Sequence, residues 1–312
     1  MTSRYRRTVV YSMNWTNTAI LTAALMGVVN IFDSHLLTKR FTGLREFLLI
    51  VSVIQITYAF IVYFLFPLPQ DIGLVPILAA VGSGLIRSTA VYIMLYNLKR
   101  EQVSQVIPVV YTHPIFVAII AVSLLGETLN FMGWIAIVIV VAGSVMVSIN
   151  QTPSGDSTIR INLLLKLFLA SLLFAVADVT SKYALNYMSS WNMYWLTSFC
   201  MTGVFFIIST RPDVVRNIIR MNNRTSTLVI TVINETLAPV GLALSLSALK
   251  RGPVSLVSTI LGTRPMFVLL FAFIVSRVAP SFLQLDTGKK IIALRIVATA
   301  MIVGGLAIIH LM

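Results

Sequence analysis

The chain has 312 residues, of which 58% are hydrophobic and only 11% are charged, and its mean hydropathy is +0.93. Soluble domains carry about 25% charged residues, so the composition excludes an ordinary soluble protein and indicates a membrane protein. The net charge of +13 does not indicate a nucleic-acid partner, because most Lys and Arg lie between apolar runs, where basic residues set topology and meet lipid head groups.

Apolar runs follow one another along the whole chain. A membrane-spanning helix needs about 20 apolar residues, and ten such runs are present. They are approximately Asn17–Leu37, Phe47–Phe66, Gly73–Leu98, Val103–Leu125, Leu129–Ile149, Ile161–Leu185, Trp191–Ser209, Thr225–Leu249, Val254–Ser276 and Ile291–Leu311. The breaks contain Pro, Gly or charged residues. The sequence therefore predicts an all-α polytopic membrane protein with ten transmembrane helices, whose first run is too long for a cleaved signal peptide.

Two segments of the chain repeat one another. Leu98–Val117 and Leu249–Val268 lie 151 positions apart and are identical at ten of 20 aligned positions, among them a Leu-Lys-Arg and a Thr-x-Pro. The longest polar connector near the middle is Asn150–Arg160. We therefore predict an internal duplication, with one five-span repeat in residues 1–150 and another in 151–312. Repeats with an odd number of spans enter the membrane from opposite sides, so the two halves are expected to be inverted.

An inverted duplication is typical of transporters that alternate access to a substrate site near the membrane midplane. This favours a secondary-active transporter, an exporter or exchanger, of a small polar or amphipathic metabolite. The alternative is a non-transporting membrane scaffold or receptor-like subunit with the same fold. The chain has no metal-ligand spacing, no phosphate-binding glycine loop and no nucleophile triad, and Cys200 is its only cysteine, so we predict no enzyme, no cofactor and no metal.

Ionisable residues inside predicted spans are the candidate site residues, because they are costly in a membrane and usually face a pathway or one another. Glu235 has no cation nearby in sequence and is the best candidate for proton coupling, unless it pairs with Arg264 or Arg87. Arg87 could bind a substrate carboxylate or phosphate, or it could neutralise Asp33. Arg295 is a further basic residue within the last span.

Two other pairs of candidates come from helix spacing and from the repeat. Asp178 and Lys182 are four residues apart, so they either contact a substrate or neutralise each other on one helix face. His113 and Arg264 occupy the same repeat position, each directly before a proline. Because this is where the two copies differ, we expect it to carry chemistry particular to this protein.

Four prolines are predicted to bend or break the spans that contain them. Pro114 and Pro265 are repeat equivalents, Pro108 adds a second distortion to the fourth span, and Pro239 follows Glu235 by four residues. Bent helices near the midplane can expose polar backbone to a substrate. The alternative is a kink that only serves packing.

With these residues in view, the chain resembles the drug/metabolite transporter superfamily in its EamA-like branch. The resemblance rests on the two-by-five pattern, on Pro114, on Gly126-Glu127, and on the fifth-span glycines Gly133 (in Gly133-Trp134) and Gly143. Lys182 is similar to a lysine often found near the end of the sixth span. The second half departs from the pattern, with Arg277-Val278 in place of Gly-Glu and a polar insertion from Pro280 to Lys290.

The resemblance implies export or exchange of small metabolites by alternating access, without ATP, through proton or counter-substrate coupling. It also implies cytoplasmic termini. The charge distribution favours the opposite orientation, with five basic residues on the side of the termini and 14 on the other side. The sequence leaves this orientation open. We expect an integral protein of the cell membrane, plasma or inner, in contact with the lipid bilayer and a small-molecule substrate.

Overall fold

The computed structural model describes residues 14–100, 103–148, 157–221, 223–278 and 289–312. The three arginines near the N-terminus, most of the connector at Asn150–Arg160 and most of the insertion at Pro280–Lys290 lie outside these ranges.

The described residues form a series of α-helices. In the first half these are α1 (Trp15–His35), α2 (Leu44–Leu65), α3 (Leu74–Leu98), α4 (Val103–Val110), α5 (His113–Ile120) and α6 (Phe131–Ser148). Short π-helical segments extend α1 over Leu36–Arg40 and α5 over Ala121–Leu125. In the second half they are α7 (Ser157–Leu185), α8 (Ser190–Ser209), α9 (Pro212–Ile219), α10 (Arg224–Arg251), α11 (Val254–Leu261), α12 (Arg264–Val278) and α13 (Lys289–Leu311).

The all-α prediction is confirmed, and no strand occurs in the described part of the chain. Eight helical segments there are long and apolar enough to cross a membrane, and two more apolar helices, His113–Leu125 and Phe131–Val147, are shorter. The count of ten spans is therefore not confirmed. The predicted fourth span is not one helix but two, α4 and α5, separated at Tyr111-Thr112, and the predicted fifth span corresponds to the shorter helix Phe131–Val147.

One helix was not expected from hydropathy. Arg211-Pro212-Asp213 reads as a break between spans, but α9 begins there at Pro212 and runs to Ile219. Proline at the first helical position already has the backbone angle a helix needs, and Asp213 in the first turn interacts favourably with the helix dipole. With eight residues, α9 is too short to cross a bilayer.

Helices of one half pack against helices of the other half, and equivalent helices make equivalent contacts. Helix α1 packs on α10, and its equivalent α7 packs on α3; α2 packs on α8, and α6 packs on α13. Each of these contacts joins one half to the other. A two-fold relation between the halves requires this pattern, in which every contact is either duplicated or made between equivalent helices.

A lysine at the same repeat position donates to backbone carbonyls beyond a helix end in both halves. Lys99, at the end of α3, donates to the backbone carbonyls of Leu37 and Phe41, the latter at 3.0 Å, after the end of α1. Its repeat equivalent Lys250, at the end of α10, donates to the Met188 carbonyl at 2.8 Å, after the end of α7. Unpaired carbonyls at helix ends are well served by a lysine ammonium. The identity of the two copies here therefore has a structural reason.

The contact between α3 and α8 depends on Gly84. A Cβ atom added there would lie 2.9 Å from Cys200 Cβ and 3.0 Å from the Thr197 Cα, both on or next to the α8 backbone. Neither atom can move without moving the helix. We expect Gly84→Ala to cost about 1–3 kcal/mol of stability through overpacking, seen as a lower thermal unfolding midpoint of the purified protein.

Gly82 on the same helix is the matched control, because a Cβ there meets nothing within 4 Å. The gain in helix propensity on replacing Gly by Ala, about 1 kcal/mol, is common to both variants and cancels in the comparison. Equal midpoints for Gly84→Ala and Gly82→Ala would contradict the close approach of α3 and α8.

Candidate functional site

Two helix breaks lie at equivalent places in the halves. Helix α4 ends before Tyr111-Thr112 and α11 before Gly262-Thr263. At each break the threonine hydroxyl, Thr112 or Thr263, donates to the carbonyl three residues earlier at 2.7 Å. The same carbonyl also accepts from the threonine's own backbone N–H, at 3.2 Å for Val109 and 3.0 Å for Ile260. Both groups of the threonine therefore bind the carbonyl that has lost its helical donor, which gives the Thr-x-Pro sequence a structural reason in both copies.

Of the two predicted outcomes, bending or breaking, Pro114 and Pro265 show the second, because their spans are interrupted. Each is the second residue of a new helix, α5 or α12, where its missing N–H costs nothing. Pro239 does lie inside helix α10. Since proline cannot donate, the helical acceptor four residues earlier, the Glu235 carbonyl, is left without its usual partner. Pro108 lies in α4, near its end.

The two breaks meet at the interface between the halves. A Cβ atom added to Gly262 would stand 3.1 Å from Cγ of Pro114. Helix α1 also passes the first break, because Asn30 Nδ2 donates to the Tyr111 hydroxyl at 3.1 Å. The interrupted helices of both halves therefore meet beside α1. Polar residues form one cluster at the breaks and another between α1, α2 and α10.

The first of these, the Asp178 cluster, consists of Arg87 on α3, His113 on α5, Asp178 on α7 and Ser258 on α11. Arg87 Nη2 lies 2.6 Å from Asp178 Oδ1, and Ser258 donates to Oδ2 at 2.8 Å. His113 Nε2 lies 3.9 Å from the same Oδ2, while its Nδ1 lies 3.2 Å from the Val110 carbonyl at the break. Asp178 is buried, and its carboxylate is bound by Arg87 and Ser258, with His113 beside it.

This arrangement overturns two pairings considered from the sequence. Lys182 does not neutralise Asp178, although the two are one turn apart on α7. Its ammonium instead donates to the carbonyls of Leu249 and Gly252, both at 2.8 Å, where it caps the end of α10. Arg87 does not neutralise Asp33, because helix packing brings α3 against α7 rather than α1.

Arg264 is the repeat equivalent of His113 and begins α12. It is half-buried, and its Nε is buried without a hydrogen-bond partner among the described residues. A buried guanidinium N–H without an acceptor is unfavourable, so the Nε–H of Arg264 is available to donate to an oxygen of another molecule. Arg295 is half-buried on α13.

The second group, the Glu235 cluster, consists of Asp33 on α1, Gln55 on α2, and Asn234 and Glu235 on α10. The side-chain amide of Asn234 donates to Asp33 Oδ1 at 2.7 Å and to Glu235 Oε1 at 3.2 Å. Gln55 Nε2 donates to the other Glu235 oxygen at 2.7 Å. Two carboxylates from different halves therefore share a single amide group.

Ion pairs for the Glu235 cluster were considered from the sequence and are wrong. In the described residues neither Glu235 nor Asp33 forms a salt bridge, with Arg264, Arg87 or any other cation. The carbonyl oxygens of Gln55 and Asn234 are also buried there without a donor. Both amides point their N–H groups at carboxylates, and this leaves their own oxygens unpaired.

Glu127 of the Gly-Glu motif joins the halves in another way. Its carboxylate accepts from the backbone N–H of Val254 at 2.5 Å and from Ser255 N and Oγ at 3.2 and 2.6 Å. A carboxylate at a helix N-terminus satisfies unpaired N–H groups and interacts well with the helix dipole. The preceding Gly126 has φ +66°, which favours glycine. The motif thus caps α11 of the other half.

Several members of the clusters were missed by the search for charged residues. Gln55 and Ser258 are uncharged. The signal that the sequence offers for Gln55 is that it is a polar amide within the otherwise apolar second run. Asn234 stood out merely as a neighbour of Glu235. Within the described ranges, no three or more His, Cys, Asp or Glu residues come together as a group that could hold a metal ion.

Comparison with known proteins supports the family resemblance. The model of the EamA-like transporter family matches residues 13–149 and again 162–311. No curated protein matches the chain. A solved crystal structure of a protein superposes with a TM-score of 0.64 and 17% identity, covering 95% of each chain, and at that identity it supports the fold alone. Since the family model covers most of the sequence in two copies, this integral membrane chain belongs to the EamA-like transporter family.

Proposed function

We propose that the protein is a secondary-active transporter, an exporter or exchanger in the cell membrane, that moves a small polar or amphipathic metabolite by alternating access. The observation that carries this proposal is a pair of polar clusters built from helices of both halves, one of which contains His113 at a helix break. Movement of one half against the other would change both clusters together. Such coupling between a buried site and two repeats is what alternating access requires.

We further propose ten membrane crossings in two inverted repeats, residues 1–150 and 151–312. The duplicated contacts of α1 with α10 and of α7 with α3 support a two-fold relation. In this arrangement α4 with α5, and α11 with α12, act as two broken spans that face each other. Broken helices at the contact between repeats are a common place for a transporter's substrate site.

The substrate would be held at the Asp178 cluster and Arg264. Arg87 and Ser258 already bind the Asp178 carboxylate. Arg264 is therefore the cation beside this cluster whose Nε–H remains available to a substrate. An anionic or strongly polar oxygen of the metabolite would accept from its buried Nε. His113 lies in the Asp178 cluster and could sense the same ligand through a change in its hydrogen bonds.

The Glu235 cluster would bind the coupling proton. Asp33 and Glu235 share one amide donor, and neither forms a salt bridge in the described part of the chain. A state in which one of the two carboxyl groups is protonated is therefore more favourable than a state in which both are ionised. Asp33 and Glu235 belong to different halves, so their separation would release or take up a proton when the halves move. The Asn30–Tyr111 hydrogen bond connects α1, which carries Asp33, with the break beside His113.

The test is solute flux in proteoliposomes that contain a trapped pH indicator, with a panel of zwitterionic, anionic, cationic and neutral metabolites. We expect at least one class to move only in the presence of protein and to carry protons with it. Arg264→Gln should weaken the apparent affinity for that solute, because it removes the unpaired guanidinium. Arg100→Gln removes an exposed charge that stacks on Tyr96, and it should leave the affinity unchanged.

A folded protein that moves no member of the panel, and whose thermal stability no member raises, would contradict the proposal. That result would favour the alternative of a scaffold or receptor-like subunit. The unpaired groups at Arg264 and in the Glu235 cluster argue against this alternative. Buried polar groups without partners lower stability, and a scaffold has no function that requires them.

A further inference from the structure

Helix α9 has the surface of a helix that lies at a membrane interface. Val214 faces the protein and is 2% exposed, whereas Val215 and Ile219 are 44% and 60% exposed. Arg216 and Arg220 are also exposed, each one position after an exposed apolar residue. At 100° per residue the helix carries an apolar stripe next to a basic stripe, both facing away from the protein.

The start of α10, five residues after the end of α9 in the chain, carries a further exposed surface. A groove of about 510 Å³ has Arg224 at one end and is otherwise lined mainly by apolar side chains along one face of the helix: Thr225, Leu228, Val229, Val232 and Ile233. Val229, Val232 and Ile233 are about half exposed. A positive charge at the end of an apolar groove is complementary to a phosphate group attached to an acyl chain.

The charge of this segment is strongly positive. Arg211, Arg216, Arg220 and Arg224 are all exposed, and among described residues none forms a salt bridge. The acidic residue in the segment is Asp213. Glu46, the acid brought close by packing of α9 on α2, accepts from Asn217 at 3.0 Å. The arginines are therefore available for an anion from outside the chain.

We propose that α9 and the first turns of α10 form a binding site for an anionic phospholipid of the bilayer, with the phosphate at Arg216, Arg220 and Arg224 and one acyl chain in the groove. The exposed apolar stripe of α9 enters the acyl region beside the lipid. The site is separate from both polar clusters, so it does not depend on the proposed transport activity.

Binding is measured on the delipidated full-length protein in neutral detergent, by titration with dioleoyl phosphatidylglycerol or dioleoyl phosphatidylcholine and by native mass spectrometry. We expect phosphatidylglycerol to bind preferentially and to raise the thermal unfolding midpoint. The preference should weaken as salt is added, because the arginines are exposed. Each arginine near an anionic head group contributes about fivefold to binding, so the variant Arg216→Gln/Arg220→Gln/Arg224→Gln should bind phosphatidylglycerol about 100-fold more weakly.

Arg100→Gln is the control, an exposed arginine outside the groove, and it should bind the lipid as the unmodified protein does. All four replaced side chains are exposed, so the variants should fold; equal unfolding midpoints without lipid verify this. Equal binding of both lipids, or full phosphatidylglycerol preference in the triple variant, would overturn the proposal. Inorganic phosphate that binds as tightly as phosphatidylglycerol would also overturn it, because the groove would then contribute nothing.

Discussion

Replacing Arg87 by alanine is expected to lower the free energy of unfolding by about 3–5 kcal/mol, because it leaves a buried carboxylate without its cation. The side chains of Arg87 and Asp178 are only 18% and 6% exposed, and their contact distance is 2.6 Å. Ser258 and His113 remain near the carboxylate, but a hydroxyl and a ring nitrogen at 3.9 Å do not replace a guanidinium. The measurement is the unfolding midpoint of the purified protein in mixed micelles.

A second substitution separates loss of the pair from loss of arginine packing. Asp178→Asn in the Arg87→Ala background removes the orphaned charge, so the double variant should recover part of the lost stability. Coupling between two contacting residues typically amounts to about 0.5–3 kcal/mol in such a cycle. Arg100→Ala, which removes an exposed arginine over the Tyr96 ring, should cost no more than about 1 kcal/mol. Additive effects of the two single changes would contradict the ion pair as the source of stability.

Replacing Glu235 by glutamine is expected to reduce transport driven by a pH gradient to the level of liposomes without protein. Glutamine fills nearly the same volume, and its single carbonyl oxygen can still accept one of the two hydrogen bonds, from Gln55 or from Asn234, but it cannot bind and release a proton. Exchange of solute across the membrane without a pH gradient should continue. Both rates are measured in the same proteoliposomes, with the trapped pH indicator and labelled solute.

Glu127→Gln is the matched control, the same chemical change at a carboxylate that caps α11. It should lower stability by about 1 kcal/mol through the weaker cap and leave proton-driven transport in place. If Glu235→Gln retains proton-driven transport, the Glu235 cluster is not the coupling site. If both variants lose it equally, the effect is structural rather than chemical.

The duplication has given the two halves equivalent helix contacts with different chemistry, although the residues themselves do not occupy the same repeat positions. Asp33 on α1 bonds to Asn234 on α10, and Asp178 on α7 bonds to Arg87 on α3. In each case an acid on the first span of one half meets the third span of the other half. One acid has a cation and the other has an amide, so the equivalent contacts provide a neutralised site and an acidic site within a single fold.

The sequence alone determined the membrane class, most helix boundaries and the duplication. These features are local, since hydropathy over about 20 residues and identity at a fixed offset need no knowledge of folding. The observed α2, α3, α8 and α10 begin and end within three residues of the expected spans. The charged candidates Glu235, Asp178 and Arg87 were found for the same reason, because an ionisable residue in an apolar run is conspicuous.

Only the tertiary structure decided which of these residues meet. The contacts of Arg87 with Asp178, Gln55 with Glu235, and Asn234 with Asp33 join positions 91, 180 and 201 residues apart. Spacing along one helix suggested Asp178 with Lys182 instead, but Lys182 points to the end of α10. Partners across the interface depend on how the halves pack, and apolar periodicity within a single helix does not encode that packing.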